Sequence, residues 1–228
     1  MKSFDELLAE SVAAHGHLCP GQVVGVRLAL LGLRLLGFEA PPTLPQLKKL
    51  IVFVEMDRCT GDAVAHTSGV KLGRRSLKFV DYGIMAATFV NLATDQAFRV
   101  ISTEESRDLA DLYAPAEPDH YRRQLLAYKV MPDSVMFRVQ EVKVDLSEYD
   151  LPGPTRRKAV CGKCGQVVRD NREVKQNGAV YCRPCAWGAY FTLAREIAWP
   201  EMNWAPGPAV NPGRPIDLDL HEAMPRVG

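Results

Sequence analysis

Four cysteines arranged as two C-x2-C pairs place the strongest constraint on how this chain can fold. Cys161-Gly-Lys-Cys164 and Cys182-Arg-Pro-Cys185 enclose 17 residues that contain the hairpin turn signal Asn177-Gly178. Each pair can present two thiolates from one tight turn, and four thiolates complete the tetrahedral shell of a structural zinc ion. We therefore predict a zinc ribbon or treble clef over residues 160–199, with redox-active pairs or free thiols as the less favoured alternative.

The compartment and the charge of the chain limit its partners. The N-terminal run MKSFDELLAESVAAHGH lacks the basic start and apolar core of a secretory signal, so we expect a cytoplasmic protein in which paired cysteines bind metal. The most apolar stretch, residues 23–38, contains Arg27 and Arg34 and is too short to cross a bilayer. No membrane span is therefore predicted.

The predicted zinc module is more basic than the rest of the chain. Residues 155–199 hold nine Lys or Arg against three acids, whereas the whole chain has a formal net charge of only +1. Zinc bound by four thiolates adds two negative charges, which leaves the module at about +4. Such charge usually forms a solvated face, so nucleic-acid binding is the less favoured interpretation.

Hydrophobic periodicity predicts an α+β fold in which N-terminal helices pack on a mostly antiparallel sheet. Helices are predicted over residues 4–14, 20–36, 103–113 and 118–131, with a short one inside 58–69, and strands over 47–56, 77–102 and 134–144. The predicted organisation is an α+β domain over 1–148, a linker over 149–159, the zinc module over 160–199, and an extended proline-rich tail over 200–228. A helix is also expected after the last cysteine, over residues 186–199.

Two histidines and a cysteine lie just before the second predicted helix, in the run His15-Gly-His17-Leu-Cys19-Pro-Gly21. Pro20 suits the first helical position, which places Cys19 at the N-cap beside unpaired backbone N–H groups and the positive end of the helix dipole. We expect this environment to make the thiol acidic. A thiolate near neutral pH is both a metal ligand and a nucleophile, and neutral His17 is a suitable second ligand.

A second polar group follows the predicted central strand, in the run Glu55-x-Asp57-x-Cys59-Thr60-Gly61-Asp62. Together the two runs predict an open metal site formed by His17, Cys19 and Cys59, with Cys19, His17 and Asp62 as candidate catalytic residues. A thiol redox pair is also open. The alternative is structural, with Cys19 as a buried helix cap and Cys59 as a small core residue.

Several runs of the sequence resemble a family related to the E-subunit of formylmethanofuran dehydrogenase. These runs are HGHLCPGQVVGVRLA, VEMDRCTGDAV, LGRRSLKFVDYGIMAATF and the C-terminal cysteine pairs, and the resemblance covers most of residues 11–186. It implies an α+β domain that is usually dimeric, with a histidine and cysteine cleft and often a C-terminal zinc module. The positions that match the family's functional residues are His15, His17, Cys19, Cys59 and Asp62.

The chain departs from the family pattern at one place. Many members carry T-G-C-T where this sequence has Ser68-Gly69-Val70-Lys71, so a third family cysteine is missing. The resemblance also leaves the reaction open, because the chain has no iron–sulfur cysteine run and no dinucleotide glycine fingerprint with which to carry electrons.

Two functional hypotheses follow from these features. The first is a metal-binding, thiol-containing protein that is catalytic or accessory in one-carbon or molybdenum and tungsten oxidoreductase metabolism, with a larger oxidoreductase as a possible partner. The second is a zinc-ribbon adaptor or regulator without a catalytic cleft. A homodimer is expected in either case, because the helix over residues 20–36 is apolar on nearly every face.

Overall fold

The computed structural model of the chain describes residues 2–192 and 194, and it divides into two compact units that meet between Gly153 and Pro154. The predicted linker spans this junction. The larger unit contains helices α1 (Phe4–His15), α2 (Pro20–Leu35), α3 (Leu44–Leu47), α4 (Cys59–Ser68), α5 (Glu105–Asp108), α6 (Ala110–Tyr113), α7 (His120–Val130) and α8 (Asp133–Met136), and strands β1 (Leu50–Val54), β2 (Leu77–Phe79), β3 (Ala86–Asn91), β4 (Gln96–Ser102) and β5 (Phe137–Glu141).

The five strands form one sheet in the order β2-β1-β3-β4-β5. Neighbours are antiparallel except for β1 and β2, which pair in parallel with Val52 opposite Leu77. The predicted α+β class and mostly antiparallel sheet are therefore confirmed. The expected meander over residues 77–102 is wrong at its first strand: β2 does not pair with β3, because α4 carries the chain from the end of β1 back to its start.

Alternation along the strands gives the sheet two different faces. On β1, Leu50, Val52 and Val54 belong to the main core beneath the helices, whereas Ile51 faces a smaller cluster on the opposite side. Side chains of the segment after β5, among them Val144, Leu146 and Leu151, cover that smaller cluster. The sheet therefore has a helical layer on one face and a single strap of chain on the other.

Helix α2 lies at the centre of the helical layer. It packs against α1, α4, α7, β3 and β4, and ten of its residues are buried within one copy of the chain. The apolar surplus that led us to expect a homodimer is thus covered by the chain itself. The homodimer remains an untested prediction, and α2 no longer supports it.

Two glycines let α2 and α4 approach each other closely. A Cβ atom on Gly21 would lie 2.9 Å from the Cβ of Cys59, and one on Gly25 would lie 2.6 Å from the Cβ of Ala63. No side chain could therefore be added at either position without moving α4. This close contact brings the N-terminus of α2, with Cys19, next to the N-terminus of α4, with Cys59.

The turn between α1 and α2 is fixed at both ends. Helix α1 begins with a capping box in which Ser3 and Glu6 satisfy each other's backbone N–H groups, and it ends where Gly16 adopts a left-handed φ of 99°. Helix α2 then begins with Pro20 at its first turn and Cys19 at the N-cap. Residues 15–19 therefore form a short turn between two well-defined helix ends.

Asp133 holds two arginines of α2 against α8. Its carboxylate accepts hydrogen bonds of 2.6 Å from Arg27, whose side chain is mostly buried, and from Arg34. Burial alone would raise the pKa of Asp133, but the two guanidinium groups outweigh it and lower the pKa below its ordinary value. A depressed carboxyl pKa stabilises the fold above the unfolded pKa, and this stabilisation is lost as the pH falls through the folded value.

We expect Asp133→Asn to lower the free energy of unfolding at pH 7 by about 1–2 kcal/mol, since Arg27 would keep only neutral partners. The difference from the unmodified protein should shrink below the ordinary aspartate pKa of about 3.9. Urea unfolding between pH 3 and 7 measures both effects. Asp108→Asn, at an exposed position on α5, is the control, and equal losses in the two variants would contradict the role of Asp133.

The smaller unit consists of two short hairpins and a helical turn. Strand β6 (Lys158–Val160) pairs with β7 (Val167–Arg169), β8 (Val174–Gln176) pairs with β9 (Ala179–Tyr181), and α9 covers Arg183–Trp187. Asn177 and Gly178 make the β8–β9 turn with left-handed φ values of 50° and 76°, as their turn signal predicted.

The helix predicted over residues 186–199 is wrong in its described part. Helix α9 ends at Trp187, because Gly188 adopts φ 98° and ψ 147°, a conformation that cannot continue a helix. Leu193, residues 195–199 and the predicted proline-rich tail over 200–228 lie outside the described residues. Within residues 2–192 and 194, each helix is too short or too polar to cross a membrane.

Candidate metal centres

The four predicted zinc ligands come together in the smaller unit. The sulfur atoms of Cys161, Cys164, Cys182 and Cys185 all lie within 4.8 Å of one another, and the Cys164 and Cys182 sulfurs are 3.7 Å apart. A tetrahedron with zinc–sulfur bonds of about 2.3 Å has sulfur–sulfur edges of about 3.8 Å. The cluster can therefore hold one metal ion of that size and geometry.

Backbone groups prepare this cluster for a cation. Burial opposes ionisation of Cys161, but the backbone N–H groups of Cys164, Cys182 and Lys163 outweigh it and lower the Cys161 pKa to about 6. A hydrogen bond with Cys182, together with burial, raises the pKa of Cys185 to about 12. One thiolate thus forms readily, whereas four crowded thiolates require a bound cation to offset their mutual repulsion.

The second cluster lies in the turn between α1 and α2. The ligand atoms of His15, His17 and Cys19 lie within 4.8 Å of one another, and the two imidazole rings are 4.8 Å apart. Cys19 is buried and His17 is exposed, so the cluster faces outward at one side only. Two histidines and one cysteine form a three-ligand set, which leaves a fourth tetrahedral position for water or a substrate.

Asp62, on α4, orients the first of these histidines. Its Oδ2 atom lies 2.9 Å from Nδ1 of His15, whose side chain is mostly buried. A carboxylate oxygen only accepts, so Nδ1 carries the hydrogen and Nε2 of the neutral ring keeps a free lone pair. That Nε2 atom is buried and has no hydrogen-bond partner within the described chain.

A carboxylate that fixes a histidine tautomer while the other ring nitrogen binds metal is a common arrangement in metal sites. The orphaned Nε2 of His15 fits that arrangement. Asp62 is therefore placed to support a ligand. The catalytic roles predicted for Asp62, His17 and Cys19 remain predictions.

The expectation that Cys19 is acidic is wrong for the chain by itself. Burial raises the pKa of Cys19, and the nearby Cys59 thiol raises it further. The backbone N–H groups of Gln22 and Gly21, at the start of α2, donate toward the sulfur and lower the pKa only in part. Desolvation thus outweighs the helix dipole, and a metal ion would be needed to keep this sulfur ionised at neutral pH.

Cys59 lies beside Cys19 but does not join the three-ligand set. It is the first residue of α4, and its backbone carbonyl accepts a 2.8 Å hydrogen bond from the Gln22 side chain. Gln22 is fully buried and also accepts a 2.6 Å hydrogen bond from Ser11 of α1. This chain of polar contacts fixes the three helices around the site. Sequence reasoning missed Gln22, a polar residue within an otherwise apolar run.

Other acidic residues of the second sequence run point elsewhere. The carboxylate of Glu55 is buried and receives two hydrogen bonds of 2.7 Å from Arg99 of β4, on the sheet face opposite α2. Asp57 is exposed. Neither belongs to the candidate metal clusters, so only Asp62 of the acidic residues in this run contacts a ligand of the site.

The larger unit thus defines an α+β protein with a histidine and cysteine cluster between two helix N-termini, and the smaller unit adds a four-cysteine metal cluster. Residues 14–138 match the FmdE family, described as "FmdE, Molybdenum formylmethanofuran dehydrogenase operon". That range is more than half of the chain and contains His15, His17, Cys19, Cys59 and Asp62. The chain belongs to the FmdE family.

A solved structure and one named relative extend this result. The crystal structure of an FmdE-like protein of tungsten formylmethanofuran dehydrogenase from Syntrophus aciditrophicus matches with a TM-score of 0.54 at 18% identity, over 83% of this chain and 95% of that one. At this identity the match shows a shared fold. A "Probable S-adenosyl-L-methionine-binding protein" from Archaeoglobus fulgidus is 26% identical over 209 residues, which are 84% of this chain and 55% of that relative.

Proposed function

We propose that this protein binds two metal ions and acts, as a catalyst or as an accessory protein, in one-carbon or molybdenum and tungsten oxidoreductase metabolism. In this proposal zinc occupies the four-cysteine cluster and has a structural role. A second divalent ion is held by His15, His17 and Cys19 and keeps an open coordination position. The metabolic setting rests on membership of the FmdE family.

One observation carries the second metal site. His15 presents a buried Nε2 atom without a hydrogen-bond partner in the described chain, while Asp62 fixes its Nδ1 from α4. A buried polar atom without a partner is costly to leave unsatisfied, so its presence indicates a ligand. The two neighbouring donor atoms, from His17 and Cys19, complete a set that suits zinc and related divalent ions.

The chemistry available at such a site follows from its donors. A divalent ion with three protein ligands can lower the pKa of a bound water or polarise a carbonyl group. The protein supplies orientation through Asp62, burial through Cys19 and an opening to solvent at His17. Electron transfer would require a partner, which is why a larger oxidoreductase remains part of the proposal.

Cobalt(II) substitution of the full chain tests the site directly. A Co²⁺ ion bound by Cys19 gives a sulfur-to-metal charge-transfer band beyond the one from the four-cysteine cluster. We expect Cys19→Ala to remove that additional band and leave the four-cysteine band and the melting temperature nearly unchanged. A Cys19→Ala protein that keeps every Co²⁺ band and loses only stability would show that Cys19 is merely a structural helix cap.

We expect Asp62→Asn to weaken metal binding at the three-ligand cluster by about 10- to 100-fold, as substitutions of residues that orient metal ligands commonly do. The reason is that an amide neither fixes the His15 tautomer as firmly nor raises the basicity of Nε2. Competition with a zinc chelator of known affinity measures the change. Glu10→Gln is the matched control, since Glu10 pairs with His66 at 4.0 Å between α1 and α4 but contacts no candidate ligand. Equal affinities in both variants would contradict the role of Asp62.

The adaptor hypothesis remains the alternative, and it requires only the four-cysteine cluster. The name of the Archaeoglobus fulgidus relative suggests S-adenosyl-L-methionine as a third possibility, but this chain spans only about half of that relative. The cavity beside the first turn of α2, at about 80 Å³, is also much smaller than that molecule. We therefore do not adopt it as the proposed ligand.

A further inference from the structure

A small cavity of about 80 Å³ opens in the larger unit beside the first turn of α2. Pro20 and Gly21, which directly follow Cys19, form one of its walls together with Val24. Residues far along the chain form the rest, among them Met85, Arg107 of α5 and Tyr128 of α7. The cavity is thus apolar on one side and carries a guanidinium and a phenol on the other.

We propose that this cavity binds a small monocarboxylate, with the carboxylate on Arg107 and Tyr128 and the short apolar part against Pro20, Val24 and Met85. A guanidinium group presents N–H donors in a planar fork that matches the two oxygens of a carboxylate. This inference goes beyond the proposed function and stands on the cavity alone, whether or not the neighbouring cluster holds a metal.

The state of Tyr128 supports a donor role. The residue is 5% exposed, and its hydroxyl has Arg107 and Ser106 as neighbours. Burial raises the pKa of Tyr128, and these two neighbours offset the rise only in part, so the phenol stays protonated at neutral pH. A protonated hydroxyl next to a guanidinium adds a third donor for a carboxylate.

The acid at the cavity, Glu104, does not block an anion. It also lines the cavity and pairs with Arg107 at 3.7 Å, but the two side chains are 77% and 54% exposed. Exposed pairs three residues apart on a helix contribute little, so a carboxylate ligand can displace Glu104 from Arg107. Glu104→Gln should accordingly strengthen binding.

The size of the cavity limits the ligand. A volume of about 80 Å³ holds several water molecules, whereas pockets for drug-sized ligands begin at about 300 Å³. Acetate, with one methyl group and one carboxylate, fits this description, and butyrate should already bind more weakly. A tetrahedral oxyanion such as phosphate matches the flat donor arrangement less well and has no apolar part.

Titration of the full metal-loaded chain with ¹³C-labelled acetate, followed by NMR line broadening at low ionic strength, tests the proposal. We expect saturable binding in the millimolar range. Acetamide, which is isosteric but neutral, should not bind measurably. Arg107→Gln should weaken acetate binding by about tenfold or more, and Tyr128→Phe by a smaller factor. Arg122→Gln, an exposed arginine on α7 away from the cavity, should leave it unchanged.

Two further arms separate this site from the metal cluster. Acetate binding that survives in His17→Ala would support the cavity even if no metal binds between His15 and Cys19. Binding lost in His17→Ala but retained in Arg107→Gln would place the anion on the metal and overturn the proposal. Absence of saturable binding, equal binding of acetamide, or tighter binding of phosphate than of acetate would also overturn it.

Discussion

Cys164→Ser should unfold the four-cysteine module while the larger unit stays folded. Apparent zinc-binding free energies in small zinc domains are about 10–16 kcal/mol, equal to or above the whole stability of a typical domain of about 5–15 kcal/mol. The module has little else to stabilise it, since its hairpins have strands of three residues and its buried side chains are few within the described part. Loss of the metal therefore removes most of its folding free energy.

Limited proteolysis with mass spectrometry, together with metal analysis, measures this result. New cleavage sites should appear within residues 159–192 of Cys164→Ser and not within residues 2–150. Cys59→Ser is the matched control, because Cys59 is also a free thiol but lies outside the four-cysteine cluster. A Cys164→Ser protein with full metal content and an unchanged cleavage pattern would contradict the structural role of the metal.

Gly25→Val is expected to destabilise the larger unit and to disrupt the three-ligand cluster at the same time. A side chain at position 25 would collide with the Cβ of Ala63 and with the backbone oxygen of Thr60, 2.7 Å from the added Cβ. Backbone atoms cannot move aside as a flexible side chain can, so α4 must shift away from α2. We expect a loss of about 1–3 kcal/mol or more in the free energy of unfolding.

The second consequence of Gly25→Val distinguishes a structural effect on the site from simple loss of stability. Asp62 and Cys59 lie on α4, whereas Cys19 begins α2, so a displaced α4 separates Asp62 from His15. Metal affinity of the three-ligand cluster should therefore fall in protein that is still folded at low temperature. Gly73→Ala is the control, since a Cβ there meets no atom within 4 Å. Unchanged stability and metal content in Gly25→Val would contradict the close α2–α4 contact.

Local patterns in the sequence predicted those features that depend on neighbouring residues. The C-x2-C pairs and Asn177-Gly178 indicated the four-cysteine cluster, and Pro20 with the preceding cysteine indicated the start of α2. Helix and strand positions followed from apolar periodicity. The predicted helix after Cys185 was too long because the apolar residues around Gly188 favour a helix, whereas the backbone conformation of that glycine ends it.

Features that depend on long-range packing could not be predicted in this way. Asp62 meets His15 across 47 positions, and the cavity combines the start of α2 with residues of α5 and α7. The prediction for the pKa of Cys19 was wrong because the helix dipole is visible in the sequence, whereas burial beside Cys59 is not. The spacing of Gly21 and Gly25 on one face of α2 was a signal for the close helix contact.

The number of metal ions per chain tests the proposed function most directly. Native mass spectrometry of the full chain, purified with Zn²⁺ present and without chelator, should show two metal ions per chain. One ion should remain in His17→Ala/Cys19→Ala and one in Cys161→Ser/Cys164→Ser, because each double substitution removes a different site. A single zinc ion in the unmodified chain, lost entirely in Cys161→Ser/Cys164→Ser, would contradict a metal site at His15, His17 and Cys19 and favour the zinc-ribbon adaptor.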